Sequence, residues 1–357
     1  LSNTEIGIVT GGSCVATIFL SPFMSSLISK IKGMTIKKLM TFLMLTTVLL
    51  YIVMAFLPIP AFLVMIFYVI MYALNMSTVP MLTMIAMNYI NEGTYVNFGL
   101  ARGIGSASWA TSALIFGQVV SFLGANILSI AYCVFALVTL FILYHLPESK
   151  ITKTKTEGVQ EEGSVVTVIK KYKIFFFLLL GFCFMFSGAT AIGTYLINIV
   201  KSLGGNTSLY GVAMFAMAFS ELPVMMTVPK LMKKFNSVTL ILVASIFYIC
   251  RNYTIGLAPN LIVLIIGMMF QGLSYGLFTG VITYYVTYNL DTQDQMSGQT
   301  MIGIMTSGIG STLGNVLGGI LQDTIGLNAL FTFVYLMTAL GAVIIFICKF
   351  VSVKVKK

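Results

Sequence analysis

The stretches Ile104-Gly-Ser-Ala-Ser-Trp-Ala110 and Ile309-Gly-Ser-Thr-Leu-Gly-Asn315 are similar to each other, and this similarity decides the fold predicted from the sequence. Each stretch opens a helix of small residues that leads to a glycine–hydrophobic–asparagine loop, Gly124–Asn126 in one case and Gly326–Asn328 in the other. A last apolar segment follows each loop. The spacing predicts a chain built from two repeats, with a shared membrane-like composition as the alternative explanation.

The composition around these stretches is that of a membrane protein. The chain has 357 residues, of which 58% are hydrophobic and 8% are charged, with a mean hydropathy of +1.00. A soluble domain carries about 25% charged residues, so a soluble globular protein is excluded. The single histidine, His145, and five isolated cysteines give no support to a metal, iron–sulfur or disulfide framework.

Eleven segments are long and apolar enough to cross a bilayer, which takes about 20 residues. Backbone in lipid must satisfy its own hydrogen bonds, so each segment should be helical. The predicted spans are Ile6–Ile28, Leu39–Leu57, Ala61–Met87, Phe98–Leu123, Asn126–Leu146, Ile174–Val200, Leu209–Val228, Thr239–Leu257, Leu261–Tyr288, Met301–Leu321 and Leu327–Phe350.

Lysines lie in alternate loops and predict the orientation. Lys30–Lys38 and Lys230–Lys234 are basic, whereas Leu57–Pro60 and Leu257–Asn260 contain no basic residue. The positive-inside rule places the lysine loops and the basic tail in the cytoplasm. The net charge of +10 is thus an indicator of topology and does not indicate nucleic-acid binding. Eleven spans then leave the N-terminus outside, so we expect a further span before Leu1.

Charged residues concentrate between the fifth and sixth spans. We expect a cytoplasmic linker over 147–172, with a short amphipathic helix at Val165–Tyr172, between a bundle over 1–146 and a second bundle over 173–350; residues 351–357 form the basic tail. We therefore expect an all-α polytopic membrane protein with two six-helix bundles, of which the first helix would be missing and eleven would be present. Parallel repeats with a binding site between them are typical of transporters.

The chain resembles the major facilitator superfamily, and within it the lactose permease-like oligosaccharide:proton symporters. Asn97–Trp109 looks like that group's opening of helix five, and Leu1–Gly7 looks like its entry to helix two. Ser220–Pro223 looks like its helix eight with a buried glutamate, and Arg251 falls where the group has an arginine in helix nine. The resemblance implies the major facilitator fold and transport of a small-molecule solute, without a cofactor and as a monomer.

Three charges fall clearly within apolar spans: Arg102, Glu221 and Arg251. Each would cost about 2.5–3.5 kcal/mol at the lipid-facing centre of a helix, so each should face a cavity or another charge. Arg102 and Trp109 are seven residues apart on one helix face, about 10 Å along the axis, with Ser106 between them. An indole and a guanidinium suit a sugar ring and its hydroxyls. An interfacial tryptophan and a snorkelling arginine are the alternatives.

Glu221 is the one acid predicted within the membrane, and substrate binding and proton carriage are both open to it. A structural ion pair with Arg251 is the alternative. The family's proton-relay histidine falls near Gln271 here, and its helix-four carboxylate falls near Thr83. Proton coupling would therefore depend on Glu221 alone. Gln271, Thr83 and Asn315 are secondary site candidates, with interhelical hydrogen bonding as their alternative role.

The sequence predicts a secondary transporter in the cell membrane for a small polar solute, most readily a sugar or oligosaccharide. Two arginines against one glutamate favour an anionic solute such as a hexuronate. A nucleoside or aromatic-acid permease of the same fold and a non-transporting sensor are the alternatives. We do not expect an enzyme, because catalysis in the membrane would need an acid–base or nucleophile constellation, and the one histidine, His145, lies at the end of a span.

Overall fold

The computed structural model describes residues 2–31, 34–94, 98–147, 165–291 and 294–355, and the regular structure in these ranges is helical. The bounds of the helices follow in chain order. They are α1 Asn3–Lys30, α2 Ile36–Phe56, α3 Ala61–Asn91, α4 Phe98–Leu123, α5 Ile127–His145, α6 Val165–Lys171, α7 Lys173–Thr194, α8 Leu196–Ser202, α9 Thr207–Lys234, α10 Ser237–Gly256, α11 Leu261–Met269, α12 Leu277–Asn289, α13 Gln295–Gly303, α14 Ser311–Thr324 and α15 Leu327–Val355.

Ten stretches of helix in the described residues are long and apolar enough to cross a membrane, and α4 adds the shorter apolar stretch Ala107–Leu123. All eleven predicted spans therefore coincide with helix, which confirms the all-α membrane fold. One predicted span, Ile174–Val200, is divided between α7 and α8. The break is at Tyr195, whose φ of −102° and ψ of 15° leave the helical region, two residues after Gly193.

Two further spans contain π-helical turns. The first π turn, Gly272–Gly276, separates α11 from α12, and the second, Ile304–Gly310, separates α13 from α14. A π turn inserts an extra residue into a helix and commonly marks a functional position. Glycines allow the close approach that accompanies both turns. A Cβ at Gly272 would lie 2.1 Å from the Ser220 carbonyl oxygen of α9.

The two halves of the chain meet along two antiparallel helix pairs. In the first seam, α1 runs against α14: the contacts pass from Asn3 with Gly319, through Gly7 with Asn315, to Ile18 with Gly308. In the second seam, α4 runs against α9. The close approaches in both seams lie toward the end of the bundle at which α1 begins. We call this the Asn3 end and the opposite end the Lys234 end.

The predicted linker helix is present as α6, and it docks on the turn between α12 and α13. The Lys171 ammonium lies 2.6 Å from Asp291 and 2.7 Å from Asp294. The Tyr172 hydroxyl donates to Asp294 over 2.9 Å. Val168 of α6 is fully buried. Hydrogen bonds to the carboxylates hold the pKa of Lys171 above its ordinary value, and Lys171 lowers the pKa of Asp291. Residues 148–164 of the predicted linker lie outside the described residues.

Candidate functional site

Glu221 lies on α9 where the first π turn packs against it. The Ser220 hydroxyl accepts a hydrogen bond of 3.0 Å from the backbone N–H of Gly272. A Cβ at Gly276 would lie 3.6 Å from Cα and 3.7 Å from Cγ of Glu221. The glycines of the π turn thus bring the helix backbone close to α9. Glu221 itself is half-buried, so its carboxylate is neither sealed in the core nor open to bulk solvent.

Gln271 and Arg251 approach Glu221 from two neighbouring helical segments. The Gln271 side chain and the charge of Arg251 both interact with the Glu221 carboxylate. The ion pairs of 4.0 Å or less among the described residues all involve Lys171. Among the described residues, no ion pair of 4.0 Å or less therefore joins Glu221 to Arg251, although the two charges interact.

Arg251 is buried within the second half of the chain, with a relative exposure of 1%. Its Nη1 donates to Asn252 Oδ1 over 2.9 Å, and its Nε has no hydrogen-bond partner. A buried polar group without a partner costs about 1–3 kcal/mol, and more when charged. The arginine is thus held at one nitrogen and left unsatisfied at another.

Tyr248 is a member of this cluster that the sequence did not reveal. It is fully buried, its hydroxyl has no partner, and its ring meets Phe182 edge-on with 5.5 Å between centroids. Tyr248 and Arg251 are three residues apart on α10, so they share a face, and this spacing was the available clue. With Gln271 Oε1, three unpartnered polar atoms lie around Glu221. We call Glu221, Tyr248, Arg251 and Gln271 the polar cluster.

Asn315 lies in a different place from the polar cluster. Its Oδ1 accepts a hydrogen bond of 2.6 Å from Thr194, and its backbone oxygen accepts one of 2.7 Å from the Tyr195 hydroxyl. The same backbone oxygen lies against Gly7 of α1. Asn315 thus belongs to the first seam. Thr83 is half-buried, and its hydroxyl bonds to the Val79 carbonyl of its own helix.

The remaining predicted site residues are on α4. Arg102 and Ser106 have helical backbone, and their side chains lie outside the described residues. Trp109 is 50% exposed. A groove of about 380 Å³ lies on another face of α4, about 130° around the helix from Trp109. It is lined by Ile104, Ala107, Ser108, Thr111 and Ser112.

The register of the second seam relates Trp109 to Glu221. A Cβ at Gly117 would lie 2.8 Å from the Cα of Gly211, and one at Gly211 would lie 2.7 Å from the Ala113 oxygen. Because the helices are antiparallel, a residue eight positions before Gly117 is level with one eight positions after Gly211. Trp109 is therefore level with Phe219, and Glu221 is about 3 Å further along the axis.

A second polar network ties the halves together at the Asn3 end. The Asp323 carboxylate of α14 accepts hydrogen bonds from both nitrogens of Asn3 and from the backbone N–H of Thr4, at 2.6–3.2 Å. Asn198 donates to both Asn3 and Gln322 over 2.8 Å. An acidic side chain thus caps the first turn of a helix from the other half, where the helix dipole favours negative charge.

Comparison with known proteins identifies the family of this bundle. The chain matches the profile described as the MFS_1 like family over residues 1–333. This chain belongs to the MFS_1 like family. The family is one of major facilitator transporters, so the protein is a multi-pass membrane transporter and not an enzyme. No group of three or more His, Cys, Asp or Glu in the described residues could hold a metal ion.

Individual relatives of this transporter are distant. A maltose permease of Geobacillus stearothermophilus is 22% identical over 277 residues, which are 78% of this chain and 69% of the permease. A variant of the nucleoside transporter NupG matches with a TM-score of 0.79 and 15% identity over 98% of this chain and 91% of the other. A D-xylose-proton symporter has a TM-score of 0.70 and 13% identity, covering 97% and 87%. These structures establish the major facilitator fold.

Proposed function

We propose that this transporter moves a small polar organic solute, a sugar or oligosaccharide, across the cell membrane by alternating access between a bundle over 1–146 and a bundle over 173–350. The observation that carries the proposal is the polar cluster. Its unpartnered atoms are two donors or hydroxyls and one amide oxygen, a set that matches the hydroxyl groups of a sugar. The maltose permease and the D-xylose-proton symporter are named for sugars.

The internal repeat supports a site that spans both halves. Ser106 corresponds to Ser311 in the repeated stretches, and Glu221 corresponds to Cys14 when Pro229 is matched with Pro22. The side chains of Cys14 and Ser311 interact. By the same relation, Glu221 is expected opposite Ser106, on the α4 face that also carries Trp109. In this proposal Arg102, Ser106 and Trp109 form the first-half wall, and the polar cluster forms the second-half wall.

We interpret the Asn3 end as the external end, with the lysine loops and the C-terminus in the cytoplasm. This orientation follows from the positive-inside rule. The close approaches of both seams lie at the Asn3 end, which supports a state closed toward the outside. Transport then requires these contacts to part while contacts at the Lys234 end form, around a site near the middle of the bundle.

Proton coupling stays open in this proposal. Glu221 is the acid of the cluster, and Gln271, which occupies the place of the family's relay histidine, carries no proton. A proton would therefore have to be carried by Glu221 alone. Competition between solute and proton for one carboxylate would couple them by mass action.

A nucleoside is the second candidate solute. The exposed Trp109 ring suits a nucleoside too, because a flat aromatic face can stack on a nucleobase or on a pyranose ring. Replacing Trp109 with Phe separates the two candidates. A stacking pocket for a planar base should tolerate Phe, whereas a platform for a pyranose ring should lose affinity.

The test is a thermal-shift screen of the purified transporter with maltose, D-xylose, D-glucuronate and uridine, followed by counterflow of each responding solute in proteoliposomes. Glu221→Gln and Arg102→Ala should abolish most of the stabilisation. Glu5→Gln is the matched control, because among the described residues Glu5 bonds to Ser2 of its own helix end. Unchanged stabilisation in both site variants would overturn the proposed site, and absence of counterflow with every probe would contradict transport of these solutes.

A further inference from the structure

A directional chain of hydrogen bonds leads from α15 to Arg251. The Thr338 hydroxyl donates to the Val334 carbonyl over 2.7 Å. Its single hydrogen is thereby used, so toward Asn252 the hydroxyl can only accept. Asn252 Nδ2 donates to it over 2.7 Å. The amide oxygen of Asn252 is consequently turned toward Arg251, whose Nη1 donates to it over 2.9 Å.

Burial prevents water from taking the place of these hydrogen bonds. Asn252 and Thr338 are both fully buried, and Arg251 is almost so. Bulk water is therefore excluded from each link, and the hydrogen bonds must be made within the protein. Thr338 is 87 residues away from Arg251 along the chain and fixes its orientation from a different helix.

The chemical type of Asn252 is also informative. A neutral amide orients the guanidinium at one nitrogen without cancelling its charge. An aspartate in the same place would form a buried ion pair with Arg251 and would neutralise it. The charge instead acts on Glu221 through space, and Nε remains without a partner.

We infer that Asn252 and Thr338 are positioning residues for Arg251: they hold its guanidinium in place, still charged and incompletely bonded, beside Glu221. The inference rests on the proposed function, since it assigns Arg251 to the solute site. The role of the pair is to fix the direction in which the Arg251 charge and its free N–H are presented. Neither residue is required to contact the solute.

Two substitutions at Thr338 distinguish positioning from packing. Valine keeps the shape of threonine without the hydroxyl, and serine keeps the hydroxyl with less volume. If the residue only fills space, Thr338→Val should be the milder change. If it positions Arg251, Thr338→Val should weaken the apparent affinity for the responding probe about tenfold, and Thr338→Ser should stay within about twofold. The opposite ranking would overturn the inference.

A double-mutant cycle tests the chain without any solute. Thr338→Val should lower the melting temperature of the wild-type protein, and it should lower it less in an Arg251→Met background, where the unpartnered Asn252 Nδ2 still costs stability but no guanidinium is left to position. Additive losses would overturn the inference. A wild-type protein that responds to no probe, yet shows this coupling, would remove the proposed solutes and retain the positioning role.

Asn252→Asp provides the complementary change. The volume of the side chain is conserved, but the new carboxylate should pair with Arg251 and neutralise the charge that the guanidinium presents to the site. We expect a loss of apparent affinity for the responding probe, and the Thr338 hydroxyl must turn its single hydrogen from the Val334 carbonyl to the new carboxylate oxygen. Retention of wild-type affinity in this variant would contradict the requirement for a neutral amide.

Discussion

The two seams between the halves use the same packing device and differ in their polar contacts. In the first seam, Gly7 and Gly319 let α1 and α14 approach until a Cβ at either position would lie 2.3 Å from a backbone oxygen of the partner helix. In the second, Gly117 and Gly211 do the same for α4 and α9. Small residues at helix crossings are the usual means of close packing in membranes. Among the described residues, the first seam alone adds a carboxylate, Asp323, on the end of the opposing helix.

Because of this difference, we expect the two seams to need different free energies to separate. A glycine contact resists compression but not sliding, because dispersion attraction is non-directional. A carboxylate that accepts three hydrogen bonds from a helix end is directional and is lost as soon as the helices separate. We expect the first seam to contribute more to the closed state of the Asn3 end.

The distance between spin labels at Leu57 and Leu257 reports on closure. Both side chains are exposed, at 55% and 69%. They lie on different halves at the Asn3 end, since α2 and α10 both end there. Double electron–electron resonance on this pair gives a distance distribution for each variant below.

The largest effect is expected from Gly7→Ala. The new Cβ would lie 2.3 Å from the Asn315 carbonyl oxygen and 2.7 Å from the Tyr195 hydroxyl. Relieving this clash should cost about 1–3 kcal/mol of closed-state stability. The Leu57–Leu257 distribution should shift to longer distances, and counterflow should fall.

Gly12→Ala is the matched control for this change. It lies on the same helix, and its new Cβ would meet only a Val69 methyl at 3.9 Å. An unchanged distance distribution in Gly7→Ala, or an equal shift in Gly12→Ala, would show that the first seam is not held by this contact.

Gly211→Ala should have the next largest effect, through the second seam. Its Cβ would lie 2.7 Å from the Ala113 oxygen, a less severe overlap than at Gly7. Since no hydrogen bond joins α4 to α9 among the described residues, the helices can slide to relieve it, so we expect a cost of about 1 kcal/mol. Gly193→Ala, which would meet nothing within 4 Å, is the control. A shift in distance greater than that of Gly7→Ala would reverse the ranking of the seams.

Asp323→Asn tests directly the hydrogen bonds that Asn3 and Thr4 donate to Asp323 in the first seam. An asparagine offers one acceptor oxygen, and its amide group would face an N–H that Asp323 now satisfies at Asn3 or Thr4. We expect a loss of about 0.5–2 kcal/mol, as for removal of a helix cap. The same distance measurement should reveal partial opening. Glu5→Gln should not alter it, because Glu5 bonds within its own half; an effect of equal size would attribute the change to α1 alone.

The smallest effect is expected from the contacts of Lys171 and Tyr172 with Asp291 and Asp294, which we call the α6 tether. This tether joins the linker to the second half and does not join the halves to each other. Lys171 lowers the pKa of Asp291, so the tether's contribution is present above the ordinary aspartate pKa of about 3.9 and is lost as pH falls below it. The raised pKa of Lys171 preserves the contribution up to its ordinary value of about 10.4 and beyond.

A spin label at exposed Lys170 should therefore have constant mobility from about pH 5 to pH 9 and become more mobile below about pH 4. Lys171→Ala should give the mobile spectrum at every pH, with an unchanged Leu57–Leu257 distance. A change in mobility near neutral pH would indicate that another group controls the docking of α6.

The sequence by itself determined the membrane class, the eleven helical spans and the α6 helix. These depend on hydropathy, on loop charge and on motifs in short stretches of chain. The sequence did not reveal the break at Tyr195 or the two π turns, because local hydropathy is the same for a straight and an interrupted helix.

Only the tertiary structure decided which polar groups are satisfied and by what. Asn252 meets Thr338 across 86 positions, and Asn3 meets Asp323 across 320. Such partners depend on helix register and rotation, which composition does not encode. The same is true of Glu221 and Arg251: a sequence can place two opposite charges on neighbouring spans, but only packing decides whether they pair or remain apart. Here Asn252 accepts a hydrogen bond from the arginine, and Gln271 interacts with the carboxylate.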